Sequence, residues 1–289
     1  MIRIGKSNQS SGLSLWEKQN RGDIMEGALD ISFLSMGICF LLLIIPIIFS
    51  LVFKLKMIKQ TVIGVLRMTV QLALIAVFLR YIFAWDNPFI NVGWFFLMVL
   101  TATVTVINKS QLNLKMLLGP ALISLLGVSF ILLLYFNAFV VRLDSIFDAK
   151  YFIPIGGMFL GNSLKSTIIA LNTFYTSLKR NEQRYLYSLS TGATKFEGIR
   201  QYYRKSLATS LAPILATMAT TGIVSLPGML TGQILGGSSP VVAVKYQIAV
   251  MIAIFVTITV SNSITILMTV QIGFNDQGIM RKNIFRPQK

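Results

Sequence analysis

Four polar residues lie in otherwise apolar stretches of the sequence and are its best candidates for chemistry. Arg67 and Gln71 are one helical turn apart, and Asn162 and Lys165 are three residues apart, so each pair shares a helix face. Polar groups inside a bilayer are costly and are functional candidates by default. We predict that these four residues line a substrate path. Two alternatives stay open: snorkelling of Arg67 to the interface and interhelical hydrogen bonding by Asn162.

The elements that must position these residues are membrane-spanning helices. The chain has 289 residues, of which 54% are hydrophobic and 12% are charged, and its mean hydropathy is +0.71. This composition argues against a soluble enzyme, because it cannot present a mostly polar surface to water. A helix that crosses a bilayer needs about 20 apolar residues. Seven stretches qualify, namely 31–53, 61–84, 90–107, 116–141, 152–175, 207–226 and 247–272. We predict an all-α polytopic protein of the plasma membrane with seven transmembrane helices.

The distribution of Lys and Arg predicts the orientation of these helices. With the N-terminus outside, 16 of the basic residues lie on the cytoplasmic side and 8 on the outer side. Cytoplasmic loops carry the excess of Lys and Arg in membrane proteins. We therefore predict that the N-terminus is outside and the C-terminus is cytoplasmic. The net charge of +16 reflects this topology, and the scattered basic residues do not indicate nucleic-acid binding.

Three segments follow from the pattern. Residues 1–24 contain no apolar run typical of a signal peptide. We predict that they form a disordered extension or that the true start is Met25. Residues 25–275 form one membrane domain, and residues 276–289 form a basic cytoplasmic tail.

The sequence lacks most of the side chains that catalysis and metal binding require. It has no histidine, a single cysteine (Cys39) and no acidic residue inside a predicted span. Carboxylate, imidazole and thiolate groups are the usual iron ligands, and Asp, Glu and His form the relays of proton-coupled carriers. A P-loop-like segment at 156–163 lacks the lysine that nucleotide binding requires. We predict no catalytic residue, metal site or cofactor in this chain. A hydrated, chelated or anionic cargo suits Arg67 and Lys165 better than a bare cation.

The segment 177–206 is the only long hydrophilic stretch between predicted spans. Its pattern predicts two short amphipathic helices that are broken at residues 191–194. Gly192 permits a turn with positive φ, and Thr194 can cap the helix that follows. The spacing fits either a basic loop on lipid headgroups or an element that docks into a groove of a cytosolic partner.

Glycines recur at every fourth position in two places. Gly228, Gly232 and Gly236 form one series, and Gly157 and Gly161 repeat the spacing. Such spacing lets two helices approach closely. We predict that 227–237 is a helix that packs against a second copy or forms an outer gate, with static packing as the alternative. Pro227 is expected to end or kink the sixth span and to serve as a hinge.

Three blocks of sequence resemble the FetB-type family of ABC-transporter permeases. They are Ile153–Met158 with Gly161 and Asn162, Ser190–Thr194, and the run from Gly222 to Ile234 that continues with Pro240 and Ala243–Ile248. Arg67, Gln71, Ile82 and Phe83 also look like that family. The family includes bacterial proteins described as iron exporters and plant proteins linked to aluminium tolerance. The resemblance covers about 25–275.

The resemblance implies a permease subunit that forms a homodimer and works with a separate cytosolic ATPase, to which ATP binds. It implies export of iron or a metal-linked substrate. It also implies that the Ser190–Thr194 loop contacts the ATPase, although the Glu-Ala-Ala of the fuller motif is missing. The predicted coupling residues are Leu189, Thr191, Gly192, Ala193, Thr194 and Phe196. Lys165 and Ala216 depart from the family pattern, which puts the shared substrate in doubt.

Two other functions compete with this interpretation. A secondary transporter would work without an ATPase and follow an ion gradient. A scaffold or sensor would recruit a cytosolic partner through the loop and transport nothing. Lys165→Ala distinguishes a scaffold from a transporter, because in a scaffold this substitution should leave partner binding and phenotype unchanged.

Overall fold

A computed structural model of the protein describes residues 30–286. Between these residues the chain forms α-helices and no β-strand, which confirms the predicted all-α class. The predicted extension 1–24 lies outside the described residues. The helices are α1 Phe33–Leu41, α2 Ile44–Val52, α3 Ile58–Trp85, α4 Pro88–Lys109, α5 Leu114–Tyr135, α6 Ala149–Arg180, α7 Glu182–Ser190, α8 Lys195–Thr220, α9 Gly228–Leu235 and α10 Pro240–Gly273.

Five helical stretches in the described chain are long and apolar enough to cross a membrane. They are Phe33–Val52, Ile58–Trp85, Pro88–Lys109, Leu114–Val141 and Pro240–Gly273. The remaining two predicted spans coincide with α6 and with the second half of α8, which are also long but more polar. Seven crossings and the orientation of the termini therefore stay predictions.

The described chain divides into two compact units, and the first comprises residues 30–70 and Leu226–Gln247. It holds α1, α2, α9 and the first parts of α3 and α10. The predicted span 31–53 is split into α1 and α2 by a turn at Leu42 and Leu43. Pro46 explains the split, because it has no N–H to donate to the carbonyl of Leu42 and its ring clashes with that group. Nearly every residue of α1 and α2 is exposed.

The second unit comprises Gln71–Ser225 and Ile248–Lys289, of which residues up to 286 are described. Its centre is α6, which packs against α4, α5 and α8. Gly156 lies close to both α4 and α5: a Cβ at this position would lie 2.9 Å from the ring of Phe95 and 3.1 Å from Leu133. Phe95 in turn packs edge-on against Phe152 at 5.6 Å. A glycine is therefore required where α6 crosses α4 and α5.

Buried polar groups fix the start of α6. Asn91 is fully buried, and its amide donates to the carbonyl of Phe147 at 2.8 Å. The carboxylate of Asp86 accepts from the backbone N–H of Ala149 at 2.9 Å. The first bond satisfies the buried amide N–H group of Asn91, and both bonds hold the loop before α6 against the start of α4.

Helix α8 ends at Thr220, earlier than the predicted span 207–226. Gly222 adopts φ +93°, and the carbonyl of Thr220 accepts from the N–H of Val224 at 3.0 Å. A glycine in the left-handed region just past a helix is a common stop signal. The expectation that Pro227 ends or kinks the sixth span was therefore wrong. Pro227 is instead the N-cap residue of α9.

Candidate functional site

A pocket of about 200 Å³ opens between α6, α8 and α10. It is lined by Asn162, Lys165, Ser166, Ile169, Ser210, Pro213, Ile214, Thr217 and Ile258. The structure thus brings together two of the four residues predicted to line a substrate path. Of these two residues, Lys165 is exposed and Asn162 is half-buried.

Helical spacing explains why these residues converge. Asn162, Lys165, Ser166 and Ile169 are separated by three, one and three residues along α6, so they form one stripe. Ser210, Pro213, Ile214 and Thr217 form the facing stripe of α8 in the same way. Sequence inspection missed Ser210 and Thr217, because small hydroxyl residues are common in apolar helices and carry little signal alone.

A closed hydrogen-bond network forms the floor of the pocket. The buried Asn262 of α10 donates to the hydroxyl of Ser166 at 2.7 Å and to the hydroxyl of Ser210 at 3.0 Å. Its carbonyl oxygen accepts from Thr167 at 2.8 Å. The Ser166 hydroxyl donates to the carbonyl of Ser210 at 2.8 Å. The network ties three helices together and satisfies the polar side chains that it buries.

The upper part of the pocket is less fully bonded. The Asn162 amide donates to the carbonyl of Met158 in its own helix at 2.8 Å. This bond lies within α6, whereas the sequence analysis considered a hydrogen bond from Asn162 to another helix. Within residues 30–286, no carboxylate pairs with Lys165, and no acidic residue lines the pocket. The pocket therefore carries an uncompensated positive charge.

The other two predicted path residues lie on α3. Arg67 and Gln71 are both exposed. Gln71 is not among the residues that line the pocket, and Arg67 belongs to the first compact unit. Their part in a substrate path stays a prediction.

The predicted coupling loop folds as a helical elbow, which we define as α7, the turn 191–194 and the first turns of α8. Gly192 adopts φ +96°, as its sequence position indicated. Thr194 caps α8 through a reciprocal pair of bonds with Glu197: the Glu197 N–H donates to the Thr194 hydroxyl at 3.3 Å, and the Thr194 N–H donates to the Glu197 carboxylate at 2.7 Å. The Thr194 hydroxyl also donates to the Glu197 carboxylate at 2.7 Å. This bond, together with the bond from the Thr194 N–H, holds the pKa of Glu197 below its usual value. The helix break and the cap are both confirmed.

The predicted coupling residues divide into two groups in this elbow. Phe196 is 56% exposed, and Thr191, Gly192 and Thr194 are also exposed. Leu189 and Ala193 are half-buried. Leu189 is turned toward the chain itself, because a Cβ at Gly278 would lie 3.3 Å from its methyl group.

A groove of about 320 Å³ runs beside the elbow. It is lined by Phe196, Glu197, Ile199, Arg200, Tyr203 and Leu267. The rim carries one acidic and one basic side chain around an apolar interior. Such a groove can accept an apolar side chain from a partner and pair with a charge beside it.

The chain matches the family model UPF0014, described as an uncharacterised protein family, over residues 33–274. The chain belongs to this family. The Escherichia coli protein named "Probable iron export permease protein FetB" is 28% identical over 244 residues, which are 84% of this chain and 92% of that protein. The resemblance identified from sequence is thereby confirmed.

Two further relatives extend the comparison. A UPF0014 membrane protein of Synechocystis is 33% identical over 195 residues, 68% of this chain and 75% of the relative. The Arabidopsis thaliana protein ALUMINUM SENSITIVE 3 is 30% identical over 225 residues, 76% of this chain and 79% of the relative. No solved structure matches the chain. With its apolar helices, this UPF0014 chain is a multi-pass membrane protein.

The segment after α10 supports the elbow of this UPF0014 chain, which sequence inspection did not foresee. Tyr185 of α7 is buried, and its hydroxyl donates to the carbonyl of Gly278 at 2.6 Å. Its ring covers Gly198, where a Cβ would lie 2.7 Å away. Burial raises the pKa of Tyr185 to about 12. Residues expected to form only a basic tail therefore anchor the predicted coupling loop.

The same segment also contacts the turn between α4 and α5. The N–H of Asn113 donates to the carbonyl of Ile284 at 2.8 Å, and the N–H of Arg286 donates to Gln111 at 2.9 Å. Phe285 lies under the ammonium group of Lys179 at 4.6 Å. Residues 274–286, which we call the carboxy-terminal strap, thus join α6 and α7 to the start of α5.

The glycines predicted for helix packing differ in what surrounds them. A Cβ at Gly157 would lie 3.2 Å from Met98, whereas one at Gly161 would meet nothing within 4 Å. Within the first unit, nothing lies within 4 Å of a Cβ at Gly228 or Gly232, and Gly236 faces only its own helix. The segment 228–235 is helical. Packing of these glycines against a second copy stays a prediction.

The described residues hold no group of three or more His, Cys, Asp or Glu side chains that could bind a metal ion. The polar side chains that line the pocket at Lys165 carry an ammonium group, an amide and hydroxyl groups. These groups can hydrogen-bond to a polar or anionic cargo. They are not the carboxylate, imidazole or thiolate ligands that usually bind a dehydrated transition metal.

Proposed function

We propose that this protein is the membrane permease subunit of an ABC transporter and works with a separate cytosolic ATPase. The observation that carries the proposal is the helical elbow. It exposes Phe196 and Tyr187, which is 70% exposed, beside a groove that includes Arg200. Apolar and aromatic anchors with a neighbouring arginine are the residues that dominate protein–protein recognition.

The construction of the elbow supports a mechanical role. The capping box at Thr194 and the buried Tyr185 hold the orientation of α7 and α8. Phe196 lies in the first turn of α8, so a force on its side chain acts directly on that helix. Helix α8 continues from the elbow to the pocket at Ser210. Closure of an ATPase against the elbow would therefore move one wall of the pocket.

The proposed cargo is iron or a metal-linked substrate, and the proposed direction is export. The name of the Escherichia coli relative supports this assignment. Because the pocket offers no carboxylate, imidazole or thiolate, the metal would cross in a hydrated or chelated form. Deletion and overexpression of the gene should change cellular iron in opposite directions, and unchanged iron in both strains would contradict this cargo.

A homodimer is part of the proposal. Most of α3 is exposed although it is strongly apolar. A second copy could cover part of this surface, and lipid would cover the rest. Cross-linking in native membranes through a single cysteine at Tyr81 should give a dimer band if a second copy lies there.

Purification of the tagged chain from its native membrane in a mild detergent tests the ATPase partnership. We expect an ATPase with Walker motifs to be recovered with the wild-type chain and lost from Phe196→Ala combined with Arg200→Glu. Phe89→Ala is the matched control, because Phe89 is 88% exposed but lies at the start of α4, away from the elbow. A chain that transports in liposomes without any ATPase would overturn the proposal and favour a secondary transporter.

The same variants distinguish a scaffold that only recruits a partner. In a transporter, Lys165→Ala should impair transport while the ATPase is still recovered, because Lys165 lies in the pocket and outside the elbow. Unchanged phenotype and partner binding in Lys165→Ala would favour the scaffold.

A further inference from the structure

We propose that the pocket at Lys165 binds an anionic oxygen group of the cargo, such as a phosphate or a carboxylate, and does not bind a bare metal cation. The proposal rests on the transport function proposed above, since it assigns the substrate class of the same pocket. Its test uses the isolated chain and needs no ATPase.

The first argument is the position of Lys165 along α6. The helix extends over Ala149–Arg180, so Lys165 lies near its middle. At 1.5 Å per residue, the two ends of the predicted span 152–175 are about 20 Å and about 15 Å from Lys165. Both distances exceed the reach of a lysine side chain, so in the predicted membrane placement the ammonium group cannot snorkel to either interface. It must be solvated by water or by an anion within the pocket.

The second argument is the set of hydrogen-bond donors that remain available. The hydroxyl of Ser210 donates to Leu207 at 3.0 Å, and that of Thr217 donates to Pro213 at 3.0 Å. The Ser166 hydroxyl is engaged with the carbonyl of Ser210. Among the described residues, the ammonium group of Lys165 and one N–H of Asn162 are the donors left on the pocket wall. Both favour an anionic acceptor, and the ammonium group repels a cation.

The third argument is the polarity of the surrounding helices. Of the six longest helices in the described chain, α6 and α8 are the two that do not qualify as apolar spans. These two helices form the facing walls of the pocket. An aqueous path between them accounts for their polar stripes, because polar side chains within membrane spans face the bundle interior or a water-filled cavity.

Two kinds of cargo present the required chemistry. One is a free oxyanion, and the other is a metal chelate whose ligand carries anionic carboxylates. The second reconciles the missing metal ligands with the name of the iron-export relative. In either case Lys165 binds the oxygen group, and Asn162 donates a neutral hydrogen bond beside it.

The test is direct binding to the purified full-length chain in lipid nanodiscs. The probes are radiolabelled phosphate, radiolabelled citrate, ferric citrate and ferrous ion alone. We expect at least one anionic probe to bind, and Lys165→Gln to weaken its binding roughly 10- to 100-fold, as expected for loss of a charged hydrogen-bond partner. Lys165→Arg should retain most of the binding. Lys150→Gln is the matched control, because it removes an exposed charge from the first turn of the same helix.

The outcomes separate the alternatives. Binding of citrate with and without iron indicates recognition of the carboxylate itself, whereas binding of ferric citrate alone indicates a chelate. Equal anion binding in the wild-type and Lys165→Gln chains, both verified as folded by thermal unfolding, overturns the proposal. So does the absence of binding by every anionic probe. Loss of the ATPase partnership with intact anion binding would instead contradict the proposed function and leave the pocket assignment standing.

Discussion

Helices α3 and α6 have similar lengths but differ in what surrounds them. Helix α3 has 28 residues, and Ile82 is its only buried residue. Helix α6 has 32 residues, and almost half of them are buried. Yet α3 qualifies as an apolar span and α6 does not. In a membrane protein the outward surface faces lipid, so apolar character marks the outside of a single chain while polar stripes mark contacts and paths within it.

The largest effect is expected from alanine substitutions at two glycines of α6, one on a buried face and one on an open face. Gly156→Ala should lower the free energy of unfolding by about 2 kcal/mol, because the added methyl group meets the buried ring of Phe95. Gly161→Ala should raise it by up to about 1 kcal/mol, since nothing lies near its Cβ and alanine favours a helix. Denaturant unfolding in detergent measures both. A destabilising Gly161→Ala would show that another surface covers this face of α6.

A smaller effect is expected where the carboxy-terminal strap holds α7. Tyr185→Phe should cost about 1 to 2 kcal/mol, because it leaves the carbonyl of Gly278 without its donor. The pH dependence provides a second measurement. Burial raises the pKa of Tyr185 from 10 to about 12, so the neutral phenol contributes stability that is full below pH 10 and is lost as the pH rises toward 12. The difference between wild type and Tyr185→Phe should therefore shrink over this range. A constant difference would contradict the burial of the hydroxyl.

The cap of α8 should contribute less. Thr194→Ala should cost about 1 kcal/mol and increase amide exchange in the first turn of the helix. Thr191→Ala is the matched control, since its hydroxyl bonds to carbonyls at the end of α7 and to no N–H of α8. Because the pKa of Glu197 is lowered, its contribution is present at neutral pH and is lost as the pH falls below its usual value. If amide exchange in the first turn of α8 changes neither in Thr194→Ala nor at low pH, the capping box does not form in solution.

The smallest change in stability is expected from a substitution on the exposed face of α3. Leu74 is 65% exposed, so Leu74→Ala should change the free energy of unfolding by less than about 0.5 kcal/mol. Ile82→Val on the same helix should cost about 1 kcal/mol, because Ile82 is buried. Thermal unfolding in detergent compares the two. A large loss in Leu74→Ala would break the contrast with α6 and show that a second copy buries this surface.

Much of this arrangement could be predicted from the sequence because it depends on local signals. Apolar length gave the approximate positions of the long helices, and Gly192 with Thr194 indicated the break before α8. The three-residue spacing of Asn162 and Lys165 indicated that they share a face. In each case the cause lies within a few residues of the effect.

The features that were missed depend on distant partners or on competing local signals. The bond from Tyr185 to Gly278 joins residues 93 positions apart, and that from Asn113 to Asn283 joins residues 170 apart. No periodicity in the tail reveals such contacts. The end of α8 was misplaced because Pro227 is the more familiar breaker, whereas Gly222 acts first. The facing hydroxyl groups of α8 become visible only when α6 lies opposite them.

The carboxy-terminal strap also constrains the order in which the protein matures. Synthesis proceeds from the amino end, so residues 278–286 leave the ribosome after every helix that they contact. Long-range contacts of this kind close large loops and form late, because the entropy of loop closure is lost before the contact is gained. Until then α7 lacks the hydrogen bond between Tyr185 and Gly278. The elbow therefore reaches its final form only after all the helices that hold it have been synthesised.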